Sequence, residues 1–339
     1  MKQLDKDHLF PRVGRMEQLA SIRRLVADDG KGRGMRVLEV NNGSGLSFTL
    51  YPDRGMDIGQ AYFKGTPLAW VSRNLEVAPH FYDAEGIEWL RTWGGGLLTG
   101  CGLSNVGGPN GSGHARHGLH GRISHIPAEE VNTSAQWTDD KTFTLTATGR
   151  VRQGMVFGEN LVLTRQVSTA YGEAAITVRD TVENHGFADA PFMLLYHINL
   201  GWPLVDDGAS LEAPPHDVTP QTDHAAAALA DWSKLAAPVP GFAEQVYYHA
   251  LSPDAAGMAS MRLVNPRLGL AFNVSYRVRE LPYLIQWKMM GQGEYVVGLE
   301  PANCFPEGQE QAKNRGLLRH LKAGEKTETL LRLSVETLN

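Results

Sequence analysis

Residues 141–150 read KTFTLTATGR, and the order of their side chains decides the fold class. Thr142, Thr144, Thr146 and Thr148 alternate with Phe143, Leu145 and Ala147. A period of two sends successive side chains to opposite faces, as in an antiparallel strand with one face against a core. Segments of β-branched and aromatic residues recur on both sides. They are 45–51 (GLSFTLY), 155–168, 174–184 (AAITVRDTVEN), 192–199, 268–276, 283–289, 294–300 and 326–336. Gly, Pro and Asn separate them, and glycine alone supplies 37 of 339 residues. Many short strands split by such turns predict an all-β chain, a large antiparallel β-sandwich, rather than a βαβ sheet.

Helix signals are few. Residues 16–26 (MEQLASIRRLV) fit a helix or a strand, and the Ala-rich stretch 225–235 fits a short helix. The second lies in a segment rich in Pro, Asp and Ala, about 205–242, which reads as an irregular excursion from the sheet. The strands before it cannot close a core without those after it. The expectation is therefore one sandwich domain over 1–339.

Composition narrows the function. The charged fraction is 20% and the net charge −5, so phosphate neutralisation on nucleic acid is not this protein's main business. No stretch reaches the length of a membrane span, and the first twenty residues lack the apolar core of a secretory signal. Cys101 and Cys304 make no disulfide framework and no CxxC site, so a reducing cytoplasm is the expected compartment. A homodimer is compatible with the sequence.

Four clusters could carry chemistry. Arg91-Thr92-Trp93-Gly94-Gly95-Gly96 puts a planar donor fork beside backbone that can approach a ligand or another strand closely. His114, His117 and His120 recur at steps of three, but Gly118 and Gly121 argue against a helix that would bring them together. Tyr196-His197-Ile198-Asn199 ends an apolar run, with His197 and Asn199 on one strand face and Trp202 just beyond. Glu300 closes the last cluster, where Pro301 ends strand pairing, and Gln286-Trp287-Lys288 lies upstream. A fifth patch, Pro52-Asp53-Arg54-Gly55-Met56-Asp57, reads as a turn held by local ion pairs, with Arg54 a lesser site candidate.

Taken in order, these clusters resemble the aldose 1-epimerase (galactose mutarotase-like) superfamily. They are closest to its epimerase-like branch of domains of unknown function. The motifs PDRGMDI, TWGGGLLTGCGL, LHGR, YHIN, QWK and GLEPAN carry the resemblance, which runs from about the thirties to the end. It implies a supersandwich with a carbohydrate-binding groove. The implied reaction interconverts the α and β anomers of an aldose by acid and base catalysis, without a cofactor. On this basis Glu300 is the expected base and His197 the expected acid. His120, Arg91, Asn199, Gln286, Lys288 and Trp202 are expected to bind substrate, with Trp93 or Trp287 as further stacking surfaces. An acidic residue of the family, between the second histidine and the glutamate, has no matching motif here. Two other readings stand beside this one. They are a non-catalytic carbohydrate-binding protein on the same fold and a metal-dependent sugar isomerase using the histidines of 114–120.

The expected chemistry suits these side chains. A histidine near ~6.5 and a glutamate near ~4.3 can coexist as imidazolium and carboxylate at neutral pH without special tuning. Such a pair supplies one proton donor and one acceptor for ring opening of a hemiacetal.

Overall fold

The alternation of 141–150 becomes the strand Phe143–Gly154, whose side chains are fully and partly buried in turn along its length. A computed structural model describes residues 5–112 and 116–338. Its strands form two sheets of twelve and eight strands, with neighbouring strands antiparallel. Among the described residues, α-helix is confined to Lys6–Leu9, Asp223–Ala227 and Gln309–Asn314. None is long and apolar enough to cross a membrane. The all-β sandwich reading therefore holds.

Details differ from the sequence reading where turn chemistry decides. Residues 155–158 form the tip of a hairpin, and the strand starts at Asn160–Ala170. Residues 16–26 divide into a 3-10 turn, Met16–Gln18, and an edge strand, Ser21–Val26. The excursion of 205–242 is less irregular than expected. Its strand Ser210–Glu212 pairs with Met258–Asn265 in the eight-stranded sheet, and its strand Asp217–Pro220 pairs with Gln245–Ala250 in the twelve-stranded one. Both are too short to show a hydrophobic period.

The larger sheet has Leu98–Leu103, Ala190–Gly201, Tyr295–Ala302 and Tyr283–Met290 as consecutive neighbours at its centre. Ala190–Gly201 is buried on both faces, which explains its unbroken apolar run. Leu194, Tyr196, Ile198 and Leu200 enter the core between the sheets. Met193 and Leu195 enter a second apolar layer with Trp70, Trp89 and Trp93 on the other side. The loops between 66 and 125 supply much of that outer layer. One long strand thus separates two environments by parity alone.

A buried polar cluster ties the sheets together. Arg165 donates to both carboxylate oxygens of Asp180, with Nη2 2.7 Å from Oδ2, and its Nη1 lies 3.4 Å from Oδ1 of Asp57. Tyr196 donates to Asp180 at 2.7 Å, and its hydroxyl also meets Thr329. Arg165, Asp180 and Thr329 come from the eight-stranded sheet; Asp57 and Tyr196 come from the twelve-stranded sheet. Burial pushes Asp57 up to about 7 against the pull of Arg165. The turn 52–57 is thus held by distant partners rather than local pairs. Asp53 pairs with Arg36, and Arg54 donates to the carbonyls of Val77, Thr92 and Ser124.

Removing one member of such a cluster strands the others without compensation. Arg165→Met is expected to lower stability by about 3–5 kcal/mol, measured as a shift of the urea midpoint. Arg165→Met combined with Asp180→Leu should cost less than Arg165→Met alone. A loss below about 1 kcal/mol for the single change, in the range of exposed pairs, would show that the cluster does not hold the sheets.

Candidate active site

On the outer face of the larger sheet, His197 and Glu300 stand side by side. The pairings Leu195 with Ala302 and Ile198 with Leu299 bring the two strands into a register that sets Glu300 opposite His197. Nε2 of His197 lies 3.1 Å from Oε1 of Glu300, and both side chains are nearly inaccessible to solvent. The contact lacks hydrogen-bond alignment. Among the described residues Oε1 of Glu300, Nδ1 of His197 and Nδ1 of His120 have no hydrogen-bond partner. Orphaned buried polar atoms of this kind call for a ligand or solvent.

Local sequence makes the pair possible. Gly298 shares the face of Glu300, and a Cβ there would fall 2.5 Å from Oε1 and 3.1 Å from the Cβ of Trp287. Only glycine leaves room for both neighbours. The triple glycine has a different use. Gly95 has φ near +75°, and a Cβ on it would meet the Trp70 carbonyl oxygen at 2.7 Å. These glycines let chain pack on chain, bringing Trp93 over the sheet, where its Nε1 donates to Thr99.

The pair opens on a cleft of about 300 Å³. Trp93 and Trp287 pack edge-on against His197, with ring centres 5.1 and 5.5 Å away. His120 sits 5.8 Å from His197, ring to ring, and 5.0 Å from Trp89. Glu244 and Gln221 complete the polar lining. Oε2 of Glu244 accepts from Nε1 of Trp287 at 2.7 Å.

Burial controls the charges. Desolvation pushes His197 down to about 3, with His120 adding to the effect and Asn199 opposing it. Desolvation alone lowers His120 to about 4. The Glu300 carboxyl is driven well above its ordinary value by burial first and by Glu244 second. The expected imidazolium–carboxylate pair is therefore corrected. Burial lowers the imidazole and raises the carboxyl, so both shifts favour the neutral forms, because both charged forms lose hydration there.

The structure brings together Glu300, His197 and His120, but not every residue expected beside them. Arg91 ends the 3-10 turn Glu88–Arg91, largely exposed, with Nε donating to Glu88 at 2.5 Å. Trp89 and Leu90 from that turn line the cleft instead. Trp202 is 65% exposed and also lies outside the lining. Gln286 and Lys288 share parity with Leu284 and Met290, which face the core between the sheets. Gln286 meets His249 and donates to the Trp232 carbonyl, while Lys288 donates to the Asp231 carbonyl. Both anchor the excursion. Asn199 shares the face of His197, yet its amide donates to the carbonyls of Gly96 and His197. His117 is partly buried, and His114 lies outside the described residues.

Trp89, Gln221 and Glu244 were not singled out by sequence. Glu244 supplies an acidic side chain between His197 and Glu300 in the chain, outside any motif. Strand parity around Glu300 is the one signal that reaches this wall, through Ile285 and Trp287.

A sequence profile described as a domain of unknown function (DUF4432) matches residues 32–335. The chain belongs to that family. A candidate aldose 1-epimerase from Klebsiella pneumoniae has a TM-score of 0.88 at 24% identity, covering 94% of this chain and 86% of its own. A galactose mutarotase-like protein from Clostridium acetobutylicum has a TM-score of 0.64 at 11% identity, with 95% and 100% covered. A galactose 1-epimerase from Lactobacillus acidophilus has 0.61 at 12%, with 94% and 100% covered. No curated protein matches the chain. The likeness shows the fold of this DUF4432 member to be a galactose mutarotase-like β-sandwich, as its motifs implied.

Burial in the folded protein disfavours the ionised Glu300 carboxyl relative to the unfolded chain. Its folded pKa is raised, so the group costs stability above about 4.3, the ordinary glutamate value. Glu300→Gln removes that cost. Its urea midpoint relative to the parent is expected to rise between pH 4 and pH 7.5. A pH-independent difference between the two proteins would show that Glu300 is not held neutral.

Proposed function

We propose that the protein is an aldose 1-epimerase that interconverts sugar anomers by acid–base catalysis at His197 and Glu300. The observation that carries this reading is the 3.1 Å approach of Nε2 of His197 to Oε1 of Glu300 at one wall of the cleft. The two exchangeable oxygens of a cyclic hemiacetal, the anomeric hydroxyl and the ring oxygen, are borne on one carbon. Two adjacent groups of the protein can meet both.

Neutral imidazole with protonated carboxyl holds the same number of protons as imidazolium with carboxylate. The pair therefore contributes one donor and one acceptor in either form. In the favoured form, Glu300 gives its proton to the ring oxygen as imidazole takes the hydroxyl proton. The bond from the anomeric carbon to the ring oxygen breaks, and the carbonyl forms. In the other form the roles are those the resemblance implies, with Glu300 as base. Rotation about the next carbon–carbon bond and reversal of both transfers gives the other anomer. The unpartnered Nδ1 of His120 is placed to meet a further sugar hydroxyl. A non-catalytic sugar-binding role would not need this pair, and its desolvation favours the catalytic reading.

Glu300→Gln and His197→Asn are each expected to slow exchange by about 10²–10⁴-fold, followed by saturation-transfer NMR on a mixture of anomers. Near-parent rates in either variant would remove that residue from the reaction. Exchange should survive EDTA; loss restored by one added metal would favour the metal-dependent alternative.

The same pair sets the pH response. His197 takes a second proton only as pH falls toward about 3, so kcat/KM should stay level as pH passes through the ordinary imidazole range. It should decline at high pH, when Glu300 loses the shared proton. A limb with its midpoint near ~6.5 would mean that an ordinary histidine controls the rate.

A further inference from the structure

The cleft beside His197 and Glu300 is rich in carbon and poor in hydrogen-bonding partners. Trp89, Leu90, Trp93, Val246, Ile285 and Trp287 form most of its wall. Among the described residues no lysine or arginine lines it. Nearby cations are turned elsewhere: Arg91 to Glu88, Arg116 to Glu85, and Lys288 to the Asp231 carbonyl. The acidic group at the wall is Glu244, which would repel a second anion.

Few polar groups remain once the catalytic pair is set aside. Among the described residues they are His120, Gln221 and Glu244. Part of their capacity is already used, since Gln221 donates to the Tyr248 hydroxyl and Glu244 accepts from Trp287. Two backbone carbonyls at the wall are also in use. The Gly107 carbonyl accepts from the amide of His120, and the Gly108 carbonyl from Asn110. A fully hydroxylated aldohexose brings more donors and acceptors than these groups satisfy. A hydroxyl pressed unpaired against tryptophan loses its hydration without return, whereas a methyl or methylene there gains by burial.

Resting on the epimerase reading, we infer that the cleft selects neutral deoxyaldoses, with the deoxygenated carbon against the tryptophan wall. Sugars bearing phosphate or carboxylate are excluded, because no lysine or arginine among the described residues of the wall neutralises them. Fully hydroxylated aldoses are accepted less well, in proportion to the hydroxyls left without partners.

The test compares fucose with galactose and rhamnose with mannose, adding galacturonate and galactose 6-phosphate as anionic probes. Anomer exchange is read by saturation-transfer NMR, and binding is read separately by calorimetry. Each deoxy sugar is expected to exceed its hydroxylated counterpart by about tenfold or more in kcat/KM, about 1.4 kcal/mol, and to bind more tightly. The anionic probes should neither exchange nor bind. Equal or faster exchange of galactose and mannose, turnover of either anion, or failure of every sugar to bind would overturn the selectivity. Tighter binding of the deoxy sugars without any exchange would leave the selectivity standing and remove the epimerase reading instead.

Discussion

Arg165 lies between the two sheets with Asp180 and Asp57 on either side, and the register of the sandwich depends on that placement. Asp57 also accepts from the Gly100 amide at 2.9 Å, fixing the strand Leu98–Leu103. Tyr196 donates to Asp180, fixing the next strand. Because Tyr196 is pinned toward the interior, His197 must face outward. A one-residue slip would exchange the two and remove imidazole from the cleft. The ionic cluster takes no part in the proposed chemistry, yet it sets which side chains can. A buried cluster of this kind is weak evidence for net stability.

The outer layer then determines the electrostatics. Trp93 and Trp287 flank the imidazole, and the same aromatic cover that shapes the cleft removes water from both ionisable groups. Removing water shifts an acid and a base in opposite directions. Histidine becomes easier to keep neutral, and carboxyl becomes harder to ionise. The two shifts leave the proton count of the pair unchanged while making charge separation dependent on what enters the cleft.

Much of this was legible in the sequence. The two-residue period of 141–150 fixed the fold class, and the motifs ending at His197 and Glu300 named the pair that register then set opposite each other. Lys288, Gln286 and Arg91 show where local reading fails. A motif places residues next to one another in the chain, but strand parity sends Gln286 and Lys288 to the other face from Trp287. In the turn Glu88–Arg91, Trp89 is buried and Arg91 is free to meet Glu88. Burial also overturned the assumption of ordinary pKa values, since desolvation depends on layers contributed by loops remote in sequence. Glu244 was invisible because no local pattern distinguishes it from a surface acid.

The excursion of 205–242 shows how the fold uses the residues that parity withdraws from the cleft. Gln286 and Lys288 face inward and bind the carbonyls of Trp232 and Asp231, while His249 joins Gln286 to His216 through contacts of 3.0 and 2.8 Å. These side chains hold the excursion from behind the sheet. Val246 and Trp287, which face the other way on the same two strands, stand at the cleft, and Gln221 and Glu244 enter from the excursion and its far end. One pair of strands therefore both carries part of the wall and anchors the segment that completes it. The residues behind the sheet act on the site through position, and those in front act on it through contact.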